Sequence, residues 1–361
     1  MCRHLGYLGP RVAVGSLLTR GPHSLYTQSW QPRDMRGGGT INADGFGVAW
    51  WVPAEITYSG DIGDSATSTG SRPDRAVRSP HLGAVVSGYS GPGTTSGDTA
   101  TDAGGPEPPA DASTPGRPMA SRYRNAAPIW TDPAVSEVLP QLHSTAVLAA
   151  VRSATVGMPV ERAACAPFTA GRWAFSHNGK IADWQRVLTE VAAEFGSPPL
   201  LAAEARTDSA ALWVILHGLL ENSLMPVESA SATAGLSQPT ESEDTTTAWR
   251  RSESSTRPDA LAAGSGGTEG PDPAEALRRL LLAVLDRDPA ARLNLLLGDG
   301  ETLWATTRHH SLSVLVTDEF AVASSEPYDD DPRWRAVPDR QLVTLRPGLL
   351  SVVPLDPDAT G

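Results

Sequence analysis

Cysteine is scarce in this chain, which has only Cys2 and Cys165 among its 361 residues. A disulfide framework needs more cysteines than this, so the sequence favours a protein of the reducing cytosol. The CxxC and HExxH spacings of zinc sites are also missing, which argues against a zinc centre. Neither a GxGxxG nor a P-loop spacing occurs, so nothing indicates a nucleotide cofactor.

Long apolar runs and an excess of basic residues are missing as well. No stretch approaches the ~20 apolar residues of a transmembrane helix, and the start of the chain does not have the order of features of a signal peptide. With 29 basic and 41 acidic residues, the formal net charge is −12. Such a chain is poorly suited to binding a phosphate backbone. We therefore expect a cytoplasmic protein that binds neither nucleic acid nor membrane.

Two segments have too few apolar residues to form a core. Residues 59–121 and 226–272 are rich in Gly, Ser, Thr, Pro, Asp and Ala. Such segments cannot offset the entropic cost of ordering the backbone. We predict two disordered low-complexity insertions within a single domain that spans residues 2–361.

The rest of the chain has the pattern of an α+β protein. Short apolar runs predict strands, and apolar residues at helical spacing predict helices over 182–195, 208–221 and 273–286. The predicted strands cover 3–9, 46–52, 146–151, 173–177, 293–297, 302–306, 312–316, 320–324, 341–345 and 349–355. Because strands and helices are grouped and do not alternate, a layered α+β domain is expected.

Cys2 follows Met1 directly, which gives this residue two possible roles. Removal of Met1 would place a thiol and a free α-amino group on one residue. An α-amino group titrates near ~7.7–8.0 and can accept the thiol proton at neutral pH. The alternative is a buried cysteine in the first strand, and Cys2 alone does not decide between the two.

Asn178 and Gly179 follow a predicted strand and also have two interpretations. Asn-Gly is the usual dipeptide of a two-residue hairpin turn. The side-chain amide of Asn178 and the backbone N–H of Gly179 are alternatively suited to an oxyanion hole, which would stabilise a transition state by several kcal/mol.

Arg152 and Asp208 add two charged groups next to predicted elements. Arg152 ends an apolar strand, where it can bind a carboxylate through two hydrogen bonds or form a structural ion pair. Asp208 begins a helix, where it can cap the helix or bind a substrate ammonium group. Asp44 precedes a Gly-x-Gly strand entry and is expected to shape a turn. A terminal thiol, an oxyanion pair, a carboxylate clamp and an ammonium clamp together suit the cleavage of a γ-glutamyl amide.

Several segments resemble the class II glutamine amidotransferases of the N-terminal-nucleophile hydrolase superfamily. They are Met1-Cys2, "NADGFGVAW" (42–50), "VRSATVG" (151–157), "FSHNGKIADW" (175–184) and "RTDSAALW" (206–213). Within that superfamily, the chain is most similar to the amidohydrolases of ergothioneine biosynthesis that cleave γ-glutamyl hercynylcysteine S-oxide. That similarity rests on "MCRHLGYLGP" (1–10), "QSWQPRDMRGGGTINADGFGVAWW" (28–51), "RYRNAAPIW" (122–130), "RLNLLLGDGETLWATT" (292–307), "ASSEPYDDDPRW" (323–334) and "VPDRQLVTL" (337–345).

The resemblance implies a four-layer αββα sandwich of two antiparallel sheets and a reaction without metal or organic cofactor. It implies that Cys2 is the nucleophile with its α-amino group as base, and that Asn178 and Gly179 form the oxyanion hole. Arg152 and Thr155 would then bind the α-carboxylate of the γ-glutamyl group, and Asp208 its ammonium group.

Two further positions follow from the same resemblance. His177 is expected near the substrate, orienting the loop without transferring protons. Many members have His after the threonine, where this chain has Val156, so we expect only backbone contacts there.

Two other functions stay open at this point. One is a glutaminase subunit that supplies ammonia to a separate synthase, and the other is a non-catalytic binding protein with a degenerate site. The partners expected are a small γ-glutamyl substrate and, without direct support, other enzymes of the pathway. A cationic leaving group would suit aromatic faces or carboxylates, and the candidates are Trp30, Trp50, Trp130 and Asp329, Asp330 and Asp331.

Overall fold

Two antiparallel β-sheets lie at the centre of the protein in a computed structural model that describes residues 2–34, 41–52, 117–222 and 272–356. In the first sheet the strands are β1 (Arg3–Ala13), β2 (Phe46–Val52), β3 (Met119–Asn125), β4 (His143–Val151), β9 (Ser313–Val316), β10 (Ala321–Ser324) and β11 (Arg335–Ala336). In the second they are β5 (Phe168–Ala170), β6 (Trp173–Lys180), β7 (Arg292–Gly298), β8 (Leu303–Thr306), β12 (Gln341–Arg346) and β13 (Leu349–Pro354). The first sheet has the strand order β11-β9-β10-β1-β4-β2-β3, and the second has the order β13-β12-β8-β7-β6-β5.

Helices cover the outer face of each sheet. The short helices α1 (Val14–Thr19), α2 (Leu25–Gln28) and α3 (Ala134–Glu137) pack on the first sheet, and α4 (Trp184–Glu194), α5 (Asp208–Asn222) and α6 (Pro273–Arg287) pack on the second. A third core cluster joins the inner faces of the two sheets. The arrangement is the predicted four-layer αββα sandwich.

Strand β1 shows how alternation builds these layers. Leu5 and Tyr7 belong to the core under α1 and α2, whereas Leu8 belongs to the core between the sheets. Successive side chains of a strand point to opposite faces. Cys2 and His4 therefore share the inner face of the first sheet with Leu8.

The predicted long elements are confirmed, and several short ones were not predicted. The broad apolar stripe predicted for α5 is buried, and so is most of the rest of this helix. Helices α1, α2 and α3 have six, four and four residues, so they contain too few turns to show a helical period. Strand β3 begins at Met119, inside the last residues of the first predicted insertion.

The predicted insertions lie almost wholly outside the described residues. For 59–121 the described part begins at Arg117, and for 226–272 it is Asp272, whose side chain caps α6 by accepting from the N–H of Ala274 at 3.0 Å. Within the described residues, no helix is both long and apolar enough to span a membrane.

Candidate active site

Cys2 lies in a cavity at the ends of strands from both sheets, next to the start of β1, the end of β6 and the start of β7. The cavity has a volume of about 330 Å³, and its walls comprise Cys2, residues 153–156, residues 178–180, Arg292 and His310. The thiol is half-buried and lies 3.8 Å from the carbonyl oxygen of Ser153. A reactive position for Cys2 is therefore sterically open, and the alternative of a fully buried strand cysteine is wrong.

Asn178 and Gly179 lie inside strand β6 and do not form a hairpin turn. They pair in register with Asn294 and Leu293 of β7, so the antiparallel ladder continues through the dipeptide. The turn interpretation is therefore wrong, because the strand ends only after Lys180. Both residues line the cavity that contains Cys2.

The Asn178 side chain is buried and has few partners. Its Nδ2 lies 3.5 Å from the Ser325 hydroxyl, and its Oδ1 has no hydrogen-bond partner within the described residues. A hydrogen bond of that length is weak. The amide is therefore free to donate to an oxygen placed in the cavity.

His177 holds β6 in place and does not line the cavity. Its Nδ1 is 3.1 Å from the Ser209 hydroxyl, and its Nε2 is 2.9 Å from the carbonyl oxygen of Arg292. Because a carbonyl can only accept, Nε2 carries the proton and Nδ1 accepts from Ser209. Both ring nitrogens are thus engaged, in accord with an orienting role.

The segment after β4 carries Arg152 and Thr155 and is fixed by Asp44. The Asp44 carboxylate accepts from the N–H of Ala154 at 2.7 Å, and the backbones of Asp44 and Gly45 exchange hydrogen bonds with Arg152 at 3.0 and 2.8 Å. Asp44 thus shapes a turn, as expected. Val156, which follows Thr155, is fully exposed at the cavity rim.

Arg152 and Asp208 adjoin the cavity wall without being part of it. The Arg152 guanidinium donates to the carbonyl oxygen of Pro159 at 2.8 Å. The Asp208 carboxylate accepts from the N–H of Ile181 at 3.2 Å. Helix α5 is capped by Thr207, whose hydroxyl accepts from the N–H of Ala210 at 3.2 Å. The Asp208 carboxylate therefore joins α5 to the end of β6.

A buried ion pair fixes the backbone of Cys2. Arg3 Nε lies 2.9 Å from Glu326 Oε1, and the two side chains are 2% and 4% exposed. Arg3 Nη1 also donates to the carbonyl oxygen of Cys2 at 3.0 Å, and Nη2 donates to that of Asp34. The other Glu326 oxygen accepts from the N–H of Arg33 at 2.8 Å. The pair therefore joins Cys2 to the segment around residues 33–34.

Two neutral histidines lie in or behind the cavity. Burial, followed by the charges of neighbouring residues, lowers the pKa of His310 from 6.5 to about 3. His4 is fully buried, and burial likewise lowers its pKa to about 3. Neither ring nitrogen of His4 has a hydrogen-bond partner among the described residues. Both imidazoles are therefore uncharged at neutral pH.

Cys165 is a buried structural cysteine. Both cysteines are free thiols, and the Cys165 sulfur lies 3.4 Å from the carbonyl oxygens of Asn125 and Glu161. Burial raises its pKa to about 11. A thiol that stays protonated is a poor nucleophile, so Cys165 is poorly suited to nucleophilic chemistry.

The proposed leaving-group residues lie outside the Cys2 cavity. Trp30 packs edge to face on Trp130, with ring centroids 5.7 Å apart, and Trp50 packs on the core under α1. Asp329 accepts from the indole N–H of Trp334 at 2.7 Å. Asp331 forms an ion pair with Arg333 at 2.6 Å, and Asp330 one with Arg33 at 3.6 Å. None of the six candidates lines the cavity wall described above.

The site also contains residues that the sequence did not single out. They are Ser153, Lys180, Arg292 and His310 in the cavity wall and the Arg3–Glu326 pair behind it. Arg3 could have been noticed, because it occupies the same strand face as Leu5 and Tyr7, where a charge needs a buried partner. No group of three or more His, Cys, Asp or Glu side chains suited to a metal ion occurs in the described part of the chain.

Comparison with solved structures gives distant similarities. A glutamine aminotransferase class-II domain protein from Silicibacter pomeroyi is 17% identical, with a TM-score of 0.47 over 99% of this chain and 100% of that one. The glutamine phosphoribosylpyrophosphate amidotransferase from B. subtilis is 10% identical, with a TM-score of 0.49 over 99% of this chain and 50% of that one. No protein-family model matches the sequence.

Curated relatives match over almost the whole chain. The gamma-glutamyl-hercynylcysteine sulfoxide hydrolase of Mycobacterium tuberculosis (strain CDC 1551 / Oshkosh) is 30% identical over 358 residues, which are 99% of this chain and 97% of that protein. The enzyme of the same name from Mycolicibacterium smegmatis is 29% identical over 356 residues, 98% of this chain and 100% of that one. The chain therefore belongs to the gamma-glutamyl-hercynylcysteine sulfoxide hydrolase family.

Proposed function

We propose that this protein hydrolyses the γ-glutamyl amide bond of γ-glutamyl-hercynylcysteine sulfoxide in ergothioneine biosynthesis, releasing hercynylcysteine sulfoxide and glutamate. The observation that carries the proposal is that Cys2, Thr155, Asn178 and Gly179 line one cavity. The relatives named for this reaction match the full length of the chain. A single small-molecule substrate would suffice, without a metal or organic cofactor.

The chemistry we propose starts at Cys2. Once Met1 is removed, the α-amino group takes the thiol proton, and the thiolate attacks the γ-carbonyl carbon. The carbonyl oxygen becomes an oxyanion, which accepts hydrogen bonds from Asn178 Nδ2 and the N–H of Gly179. When the C–N bond breaks, the α-ammonium group returns its proton to the leaving amine, and a γ-glutamyl thioester remains on Cys2. Water then attacks the thioester, which yields glutamate and the free thiol.

The γ-glutamyl group would be bound by charges on both sides of the cavity. Arg152 would bind its α-carboxylate, with Thr155 alongside, and Asp208 would bind its α-ammonium group. Arg152 now donates to a backbone carbonyl, and Asp208 accepts from a backbone N–H. We expect each to exchange or extend these contacts when the substrate binds.

Glutamate release measures this function directly. The protein without Met1 is expected to release glutamate from γ-glutamyl-hercynylcysteine sulfoxide, the Cys2→Ala variant to release none, and the Cys165→Ala variant to match the wild type. Release from glutamine but not from the sulfoxide substrate would exclude the proposal in favour of a glutaminase.

A further inference from the structure

Two cations in the cavity wall have no carboxylate partner among the described residues. Lys180 and Arg292 are register partners at the ends of β6 and β7, and both line the cavity that contains Cys2. Neither side chain makes a hydrogen bond or ion pair within the described residues. Other arginines of this acid-rich chain, such as Arg172 and Arg287, have carboxylates within 4 Å.

Within the part of the chain that the structure describes, the cavity wall contains no acidic residue to balance these charges. Its described residues include no other Lys or Arg and no Asp or Glu, and burial lowers the pKa of His310 from 6.5 to about 3. Arg152 and Asp208, which adjoin the wall, carry opposite charges that offset each other, so the two cations leave an excess of positive charge that favours an anionic ligand. The γ-carbonyl oxygen also becomes negative during the reaction, but the Asn178 amide and the N–H of Gly179 are proposed to stabilise it, which leaves the two cations for a separate anion.

The backbone of Arg292 is held firmly against the residues of the oxyanion pair. Its carbonyl oxygen accepts from His177 Nε2 at 2.9 Å, and Gly179 packs so closely on it that an added Cβ would overlap this oxygen. Lys180 follows Gly179 directly, and one residue of a strand advances about 3.3 Å. The backbones of Lys180 and Arg292 therefore lie at fixed positions, next to the place proposed for the scissile carbonyl group.

The substrate class has a second anion close to that carbonyl group. In a γ-glutamyl conjugate of an amino acid, the scissile nitrogen is the α-nitrogen of the leaving amino acid. Its α-carboxylate is therefore only a few bonds from the γ-carbonyl carbon. Glutamine has no such group, because its leaving group is ammonia.

We propose that Lys180 and Arg292 bind the α-carboxylate of the leaving amino acid. This inference rests on the proposed function and adds to it the feature that separates γ-glutamyl peptides from simple amides. The pair acts on the leaving group, whereas Arg152 acts on the glutamyl group. An arginine at such a site can donate two parallel hydrogen bonds to a carboxylate, and a lysine adds a point charge.

Steady-state kinetics with three substrates tests the proposal. They are the sulfoxide substrate, its analogue with a carboxamide in place of the leaving α-carboxylate, and glutamine. Lys180→Gln and Arg292→Gln are each expected to raise KM for the first substrate roughly tenfold, the size of one charge-assisted hydrogen bond. For the carboxamide analogue and glutamine, kcat/KM should stay within about twofold of the wild type.

A control variant and a conservative variant show whether any loss of affinity is specific to the cavity cations. Arg346→Gln removes an exposed cation from β12 of the same sheet and should leave all three substrates unaffected. Arg292→Lys should recover part of the lost affinity. Equal losses on all three substrates, or no loss in the Lys180→Gln/Arg292→Gln double variant, would overturn the assignment. The proposed function would survive either result, because only the wild-type activity on the sulfoxide substrate decides it.

Discussion

At the scale of single residues, the position of Cys2 depends on the hydrogen bond that Arg3 donates to its carbonyl oxygen. Arg3 donates to the Cys2 carbonyl oxygen at 3.0 Å while its other side bonds to Glu326. A charge that is buried to this degree is costly without its partner. The Arg3–Glu326 pair can therefore stabilise the fold and also hold Cys2 in place. Mutations can separate these two roles.

Glu326→Gln is expected to lower both the stability and the turnover of the enzyme. Breaking a buried ion pair from one side costs about 3–5 kcal/mol of unfolding free energy, and the looser Arg3 should reduce kcat more than it changes KM. The Arg3→Met/Glu326→Leu double variant should recover much of the stability but not kcat. Urea unfolding and steady-state kinetics measure the two effects. A double variant with wild-type kcat would show that the pair only stabilises the fold.

The residues of the candidate site were predictable from sequence to different degrees. Cys2 was singled out by its position after Met1, and Asn178 and Gly179 by the family resemblance, which implied an oxyanion hole. The structure places all three in one cavity wall. Lys180 and Arg292 were missed because they are more than a hundred residues apart and meet only through the register of β6 and β7. No local pattern encodes such a pairing.

At the scale of elements, the β6–β7 ladder carries one side of the site. Gly179→Ala would bring a methyl group into the carbonyl oxygen of Arg292, which is backbone and cannot rotate away. We expect the two strands to separate locally, with a loss of about 1–3 kcal/mol of stability and a much larger fractional loss of kcat. Circular dichroism melts and glutamate release give the two quantities.

Gly171→Ala is the matched control for that change. Gly171 lies between β5 and β6 with a φ of 54°, and an added Cβ there meets nothing within 4 Å. Its cost should be backbone strain alone, about 1–2 kcal/mol, with kcat unchanged. Gly179→Ala with wild-type kcat would contradict the role given to this ladder.

Helices and strands long enough to repeat their apolar pattern several times were predicted from the sequence, and shorter ones were not. Helices α4 and α6 have at least 11 residues each and show a clear apolar stripe, and the 15-residue α5 is apolar around most of its circumference. Strand β11 has two residues and β5 three, so alternation cannot be recognised in them. Strand β3 has intermediate exposure along most of its length, and therefore lacks the apolar run that marks a buried strand.

At the scale of the whole molecule, the layers were implied by family resemblance and not by residue pattern. The pattern indicated an α+β protein, but β1 pairs with β4 and β10, which lie far along the chain. Such long-range pairing depends on the packing of both sheets together. The order of strands could therefore not be derived from local sequence.

The buried histidines should make the whole fold sensitive to acid. The pKa of His4 and of His310 is lowered from 6.5 to about 3 in the folded protein, so the unfolded chain binds more protons between these values. Stability is then fully present above pH 6.5 and is lost as the pH falls toward 3. Each histidine contributes a slope of up to about 1.4 kcal/mol per pH unit.

Urea unfolding between pH 7 and pH 4 measures that slope. His4→Leu or His310→Leu should each flatten it, because one group that takes up a proton on unfolding is gone. The exposed His143 serves as the control, and His143→Gln should leave the slope unchanged. An unchanged slope in both buried-site variants would contradict the neutral state assigned to these imidazoles.

The mass of the protein during turnover shows most directly whether a γ-glutamyl thioester forms on Cys2. Protein without Met1 is mixed with γ-glutamyl-hercynylcysteine sulfoxide, quenched in acid and examined by intact-mass and peptide mass spectrometry. We expect an adduct equal to one γ-glutamyl group on Cys2, and none on Cys165 or in Cys2→Ala protein. Protein that still carries Met1 should form no adduct, since it lacks the free α-amino group. Full turnover by the Cys2→Ala variant or by protein that retains Met1 would contradict the central claim.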